Sequence, residues 1–146
     1  VVGDGPAREG LEEMLPEAHF TGFLKGDELA RAYASSDVFF FPSHTETFGN
    51  VTLEAMSSGL PCLVADATGS RSLVEHKVNG CLGKKQDADD FAQKLVMITD
   101  NDDIRMEMGR VSRDKAMGYN WDIINQQMLD YYHETLREEE ELKVGR

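Results

Sequence analysis

The sequence predicts an α/β fold, an open parallel sheet covered by helices on both faces. Two observations carry this. Short apolar β-type runs alternate regularly with helix-type segments from one end of the chain to the other. One of those runs, Val38–Phe41, is apolar at every position, as suits a strand buried on both sides in a parallel sheet.

Taken in order, Val1–Val2 reads as the tail of a strand running into the glycine-rich turn "VVGDGP", so the chain is expected to be part of a longer one. Ala7–Leu15 has helical apolar spacing and Pro16 stops it. His19–Phe23 is the next strand, and Asp27 caps a second helix to Ala34. After Val38–Phe41, Pro42 closes the strand and a polar loop follows from Ser43 to Thr47. A third helix opens near Asn50, capped by Asn50 or a neighbour. It ends at Gly59, which suits the left-handed position past a helix, and Pro61 forbids continuation. Leu60–Ala65 and Gly80–Leu82 are the remaining strands, with "TGSRSLVE" read as a loop between them. Asp87 starts a helix with Phe91, Leu95 and Ile98 on one face, and Asp102 starts another through Ala116. The last helix begins near Trp121 and is apolar at Ile124, Met128, Tyr131, Tyr132 and Leu136. The acidic stretch within 138–146 is expected to be a solvated, frayed end, and residues 1–146 a single domain.

Composition narrows the function classes. A chain of 146 residues that is 40% hydrophobic can bury a substantial core. A net charge of −12 excludes broad contact with a nucleic-acid backbone, which needs clustered Lys and Arg. No apolar run approaches the roughly 20 residues of a spanning helix, and no secretory leader is visible. Cys62 and Cys81 lack metal spacing and lie in apolar segments, so they read as reduced core residues of a cytoplasmic protein. Asp89–Asp90 and Asp102–Asp103 sit at helix starts, where acids favour the dipole, and are not read as metal ligands. Trp121, Tyr131, Tyr132, Met106, Met108 and Met117 read as packing, and His19, His76 and His133 as structural.

The chemistry concentrates in "ETFGNVTLEA", where Glu46 and Glu54 stand eight positions apart. In an open α/β sheet, ligands bind beyond the carboxyl ends of the strands, which is where the loop carrying Glu46 leaves Phe41. Gly49 lets a ligand approach the backbone, and the unpaired N–H groups of Asn50, Val51 and Thr52 make a partly positive helix end suited to a phosphate or diphosphate. An ionised carboxylate only accepts hydrogen bonds, so each glutamate would hold hydroxyls of a sugar or ribose flanking the phosphates. The plainer reading gives Glu54 a dipole role and leaves Glu46 a solvated loop residue. His44 stands between a site role and an exposed loop position.

"DVFFFPSHTETFGNVTLEAMSSGLP" resembles the signature of the retaining nucleotide-sugar glycosyltransferases of family GT4, whose two glutamates are separated by seven residues. The likeness continues through "VVGDGP", "HFTGFLKGDELARAYASSD", "LVEHKVNGCL" and "YNWDII", over about residues 1–132, and is similar especially to plant sulfoquinovosyl- and bacterial mannosyltransferases. The resemblance implies a Rossmann-like domain, the C-terminal, donor-binding half of a GT-B architecture. By that pattern Glu54 binds the ribose hydroxyls, and Glu46, the catalytic candidate, contacts the donor sugar near the reacting carbon. Phe48, Gly49, Asn50 and Val51 present amides to sugar and diphosphate, and Gly3, Asp4, Gly5, Phe23 and Leu24 border the nucleotide. The partner implied is a nucleoside-diphosphate sugar carrying a hexose, with no cofactor and no metal. The acceptor would be held mainly by an N-terminal domain, with the Arg and Lys that clamp the diphosphate lying ahead of residue 1, so this chain alone is expected to be inactive. The resemblance leaves room for peripheral membrane association of the longer protein. In "TGSRSLVE", Ser70 replaces the second glycine of the family's pair and Ser72 its glutamate, and Arg71 is a candidate local charge. The competing readings are a GT-B epimerase or phosphorylase relative, and a non-catalytic nucleotide- or protein-binding module.

Overall fold

A computed structural model describes residues 1–144, with residues 139–144 in backbone only. Three strands, β1 (Phe39–Phe41), β2 (Cys62–Ala65) and β3 (Gly80–Gly83), form a parallel sheet in the order β1-β2-β3. Phe39 lies opposite Cys62, and Cys62 opposite Gly80. In chain order the helices are α1 (Arg8–Met14), α2 (Gly26–Ala34), α3 (Asn50–Ser57), α4 (Thr68–Leu73), α5 (Ala88–Thr99), α6 (Asp102–Met117) and α7 (Trp121–Val144).

β2 explains why both faces of the sheet are covered. Every residue of it is buried, and alternate side chains enter different layers. Cys62 and Val64 join Ala55, Met56, Leu73, Val74 and Ala116; Leu63 and Ala65 join Cys81, Phe91, Ile98 and Met108. Both cysteines are free and buried, and burial pushes the Cys62 thiol up to about 12. Buried Asn79 is fully engaged: its side-chain amide donates to Leu73 O at 3.0 Å and accepts from Glu75 N at 2.7 Å, while its carbonyl accepts from Ser112 Oγ at 2.7 Å. It joins the end of α4, the start of β3 and α6.

Several expectations need correction. Val1–Val2 and His19–Phe23 are not strands of the sheet. They meet through isolated bridges at Val2, Gly3 and Gly22, because so short a stretch closes only a rung or two. Val38–Phe41 is not covered on both sides: β1 lies at one side of the described sheet, and Phe40 is 49% exposed, its ring edge-on to Phe91 at 5.6 Å. Asp27 falls in the first turn of α2, whose cap position is Lys25. "TGSRSL" is helical, as α4. Asp87 caps α5, accepting Asp90 N–H at 3.0 Å, and α6 starts at Asp102 as expected, with Asn101 ahead of it as the cap, accepting Ile104 N–H at 3.0 Å. Of the methionines read as packing, Met108 is buried while Met106 and Met117 are exposed; Trp121, Tyr131 and Tyr132 on α7 are exposed too. The backbone of the acidic segment 138–146 is helical to Val144. Its side chains beyond 138, and residues 145–146, lie outside the described residues.

Candidate functional site

The chain leaves β1 at Phe41, runs through Pro42 and an irregular loop, and turns back into α3. Gly49 makes that turn in the left-handed region, at φ +97°. A side chain there would be strained, and its Cβ would also lie 3.2 Å from Leu73 Cδ1. Gly49, not Asn50, is the residue ahead of α3, and it has no side chain to cap the helix; Asn50 is the first helical residue. The first helical bond runs from Leu53 N to Gly49 O at 2.9 Å, so the N–H groups of Asn50, Val51 and Thr52 remain as donors at the helix mouth. The opposite end of α3 is satisfied by a cation, the Arg113 guanidinium donating to Ser57 O at 2.6 Å. The open amides favour an anion at the mouth.

The two glutamates are held by different devices. Glu46 is half-buried, and its Oε1 accepts Gly49 N–H at 3.2 Å. One of the amides expected to face a ligand is therefore already bonded to the loop's own carboxylate, which stands at the mouth. Glu54 is exposed in the second turn of α3, where its Oε2 accepts the Tyr33 hydroxyl of α2 at 3.1 Å. Thr52 is buried, and its backbone N–H lies in the first turn of α3 without an intrahelical partner. The Phe48 ring is 41% exposed and lies edge-on to Tyr119 at 6.2 Å; His44 is exposed.

Glu46, Phe48, Gly49, Asn50, Val51, Thr52 and Glu54 thus form one loop-and-helix unit. Gly3, Asp4, Gly5, Phe23 and Leu24 form a second patch at the N-terminal segment. Gly3 N donates to Gly22 O at 2.8 Å, and Asp4 Oδ1 accepts Gly5 N–H at 2.9 Å. Gly3, Asp4 and Gly5 border, with Arg8, Leu11 and Phe20, a cavity of about 270 Å³. Phe23 is exposed beneath the Lys25 ammonium, 5.1 Å from its ring centroid. Among the described residues, no group of three or more His, Cys, Asp or Glu is placed to hold a metal, and no helix is long and apolar enough to cross a membrane.

Sequence reasoning missed three contributors. Gly69 at the start of α4 sits against the glutamate loop so closely that a Cβ would be 2.6 Å from both C and O of Thr47 and 2.7 Å from Glu46 O. Tyr119 supports Phe48 and reaches Ser72 O at 3.4 Å. Tyr33 bonds Glu54; its partner is 21 positions away, and no local pattern announces it. Arg71, a candidate charge for the site, is engaged instead in a two-pronged pair with Asp66, whose carboxyl it holds below the usual range. Ser72 bonds back to Gly69 O at 2.6 Å, and Ser70 is buried.

Comparison with known proteins agrees with this architecture. The profile of glycosyl transferases group 1 matches residues 1–101. The chain is 42% identical over 125 residues to a sulfoquinovosyl transferase of Arabidopsis thaliana, covering 82% of this chain and 24% of that protein. It is 36% identical over 139 residues to a GDP-mannose-dependent alpha-mannosyltransferase of Corynebacterium glutamicum, covering 93% of this chain and 33% of the relative. The chain therefore spans a quarter to a third of the length of these relatives. Among solved structures, the sucrose-phosphate synthase of Thermosynechococcus elongatus superposes with a TM-score of 0.79 at 27% identity, over 93% of this chain and 38% of that one. The Anabaena HepE protein in complex with UDP-glucose superposes with a TM-score of 0.74 at 26% identity, over 91% and 40%. These neighbours are GT-B glycosyltransferases, and on the profile match and the identities together the chain belongs to the glycosyl transferases group 1 family.

Proposed function

We propose that this chain is the donor-binding part of a retaining, GT4-type glycosyltransferase that moves a hexose-type sugar from a nucleoside-diphosphate sugar to an acceptor. The observation that carries the reading is the α3 mouth: three free backbone amides behind a left-handed glycine, with one carboxylate at the mouth and another one turn along the helix. The amides of Asn50, Val51 and Thr52 take the diphosphate. Glu54 accepts the ribose hydroxyls, and Glu46, fixed through Oε1, offers Oε2 to hydroxyls of the donor sugar near the reacting carbon. Gly3, Asp4, Gly5, Phe23 and Leu24 border the nucleotide. The mannosyltransferase relative is GDP-mannose-dependent and the HepE neighbour binds UDP-glucose, which supports a nucleotide-sugar donor without fixing the base.

During transfer, positive charge grows on the sugar and negative charge on the departing diphosphate. Amide donors fixed where that negative charge grows stabilise it without reorganising, and the α3 dipole adds in the same sense. Glu46 contributes positioning and electrostatic support on the sugar side. Acceptor binding is assigned to the remaining length of a longer protein working on the cytoplasmic side, where peripheral contact with a membrane surface is compatible with this reading. The test is calorimetric titration of UDP, GDP and ADP, with and without their sugars. Glu54→Ala is expected to abolish binding, and Glu46→Ala to retain the nucleotide with altered sugar preference. Failure of every nucleotide to bind a well-folded sample at millimolar concentration contradicts the proposal.

A further inference from the structure

Tyr33 stands where three elements meet. It projects from α2, its ring lies 6.0 Å from that of Phe39 on β1, and Phe39 in turn stacks on Phe41 at 5.8 Å. Its ring is packed against the core layer containing Ala55, Met56 and Cys62. The hydroxyl lies 3.1 Å from Glu54 Oε2 and 3.4 Å from Val51 O, both on α3. A phenol has one proton, and a carboxylate acceptor makes the stronger, charge-assisted bond, so Glu54 takes it.

We infer that Tyr33 is a positioning residue for ribose recognition: by donating to Oε2 it fixes the Glu54 carboxylate and leaves Oε1 presented to the sugar's vicinal hydroxyls. This rests on the proposed role of Glu54. Three physical points support it. Glu54 is exposed, and an exposed glutamate otherwise samples several rotamers, which a ligand would have to pay to order. The Tyr33 ring is itself held by packing, so the restraint comes from the core. A carboxylate has about four acceptor positions on its two oxygens, so one phenol leaves room for a diol. The same contact makes the nucleotide end of the site depend on where α2 sits, since Tyr33 joins α2 to α3.

The test compares UDP and GDP, each with its 2′-deoxy analogue, in binding to the protein and to Tyr33→Phe, Glu54→Gln and the double variant. Phenylalanine keeps the packing on Phe39, and thermal unfolding checks that it does. The expected result is that Tyr33→Phe weakens the ribonucleotide by roughly fivefold to tenfold, the scale of one ordinary hydrogen bond, because the contact acts on the ligand only through Glu54. The deoxy analogue is little changed, and the double variant is no worse than Glu54→Gln. Equal weakening of both nucleotides by Tyr33→Phe would mean a merely structural role and overturn the inference. So would full ribose discrimination in Tyr33→Phe alongside its loss in Glu54→Gln, which leaves the donor reading standing. Unchanged discrimination in Glu54→Gln, or no ribonucleotide binding at all, overturns the role of Glu54 and this inference with it.

Discussion

The α3 mouth and the glycine turn at residues 3–5 are both assigned to the same ligand, yet they are built in opposite ways. The mouth is rooted in the core: Thr52, Ala55 and Met56 of α3 are buried, Leu73 packs beneath Gly49, and α4 presses on the glutamate loop through Gly69. The N-terminal patch is carried by segments with no buried helical residue, α1 and α2, and by backbone bonds such as Thr21 N to Val1 O at 3.0 Å. In the proposed reading, the diphosphate and sugar would meet a surface fixed by packing, and the nucleotide's far side one fixed by a few hydrogen bonds. Tyr33 ties α2 to α3, and it acts on Glu54, a carboxylate that is otherwise exposed.

Substitutions can break this contrast. The largest expected effect is at Leu73, which is 0% exposed. Leu73→Ala should cost about 2–5 kcal/mol in denaturant unfolding, whereas Leu11→Ala in α1 should stay within about 0.5 kcal/mol. Next is Gly69→Ala, whose Cβ meets backbone and not a flexible side chain. Overpacking of this kind typically costs about 1–3 kcal/mol, and displacement of the Glu46 loop should reduce donor-sugar affinity at least roughly tenfold, a loss of about 1.4 kcal/mol. A finer comparison pairs two glycines with positive φ, Gly49 at +97° and Gly3 at +120°. A Cβ at Gly49 also meets Leu73, while one at Gly3 meets nothing within 4 Å. Gly49→Ala should therefore destabilise more than Gly3→Ala, and equal losses would show that backbone strain alone is at work.

The smallest effect is spectroscopic. Burial, reinforced by the Glu54 carboxylate and the hydrogen bond to it, pushes the Tyr33 phenol up to about 12. The folded value is raised above the ordinary value of about 10, so any stability this group contributes is complete below about pH 10 and is lost as pH rises through 12. Ultraviolet titration should find a phenolate forming near pH 12, and Tyr33→Phe should remove that step.

Much of the mouth was legible in the sequence because its determinants are local. A strand closed by Pro42, a glycine before a helix, and Gly59 with Pro61 after it announce themselves within a few residues. The supports were not legible. α4 has no helical apolar repeat in "TGSRSL" and forms where Gly69 abuts Thr47, a contact across 22 positions. The partnership of Tyr33 with Glu54 likewise depends on tertiary placement. On α7 the helical spacing of Ile124, Met128, Tyr131, Tyr132 and Leu136 gave the helix correctly but not its burial: periodicity reports which face is apolar, and only packing decides whether that face is covered.

The most direct test of the account is to follow backbone amide chemical shifts while a nucleoside diphosphate is titrated to millimolar concentration. The account predicts the largest changes at Asn50, Val51 and Thr52, with Glu54 and Gly49 moving in step. Changes confined to other surfaces, with the amides at the start of α3 silent, would contradict it.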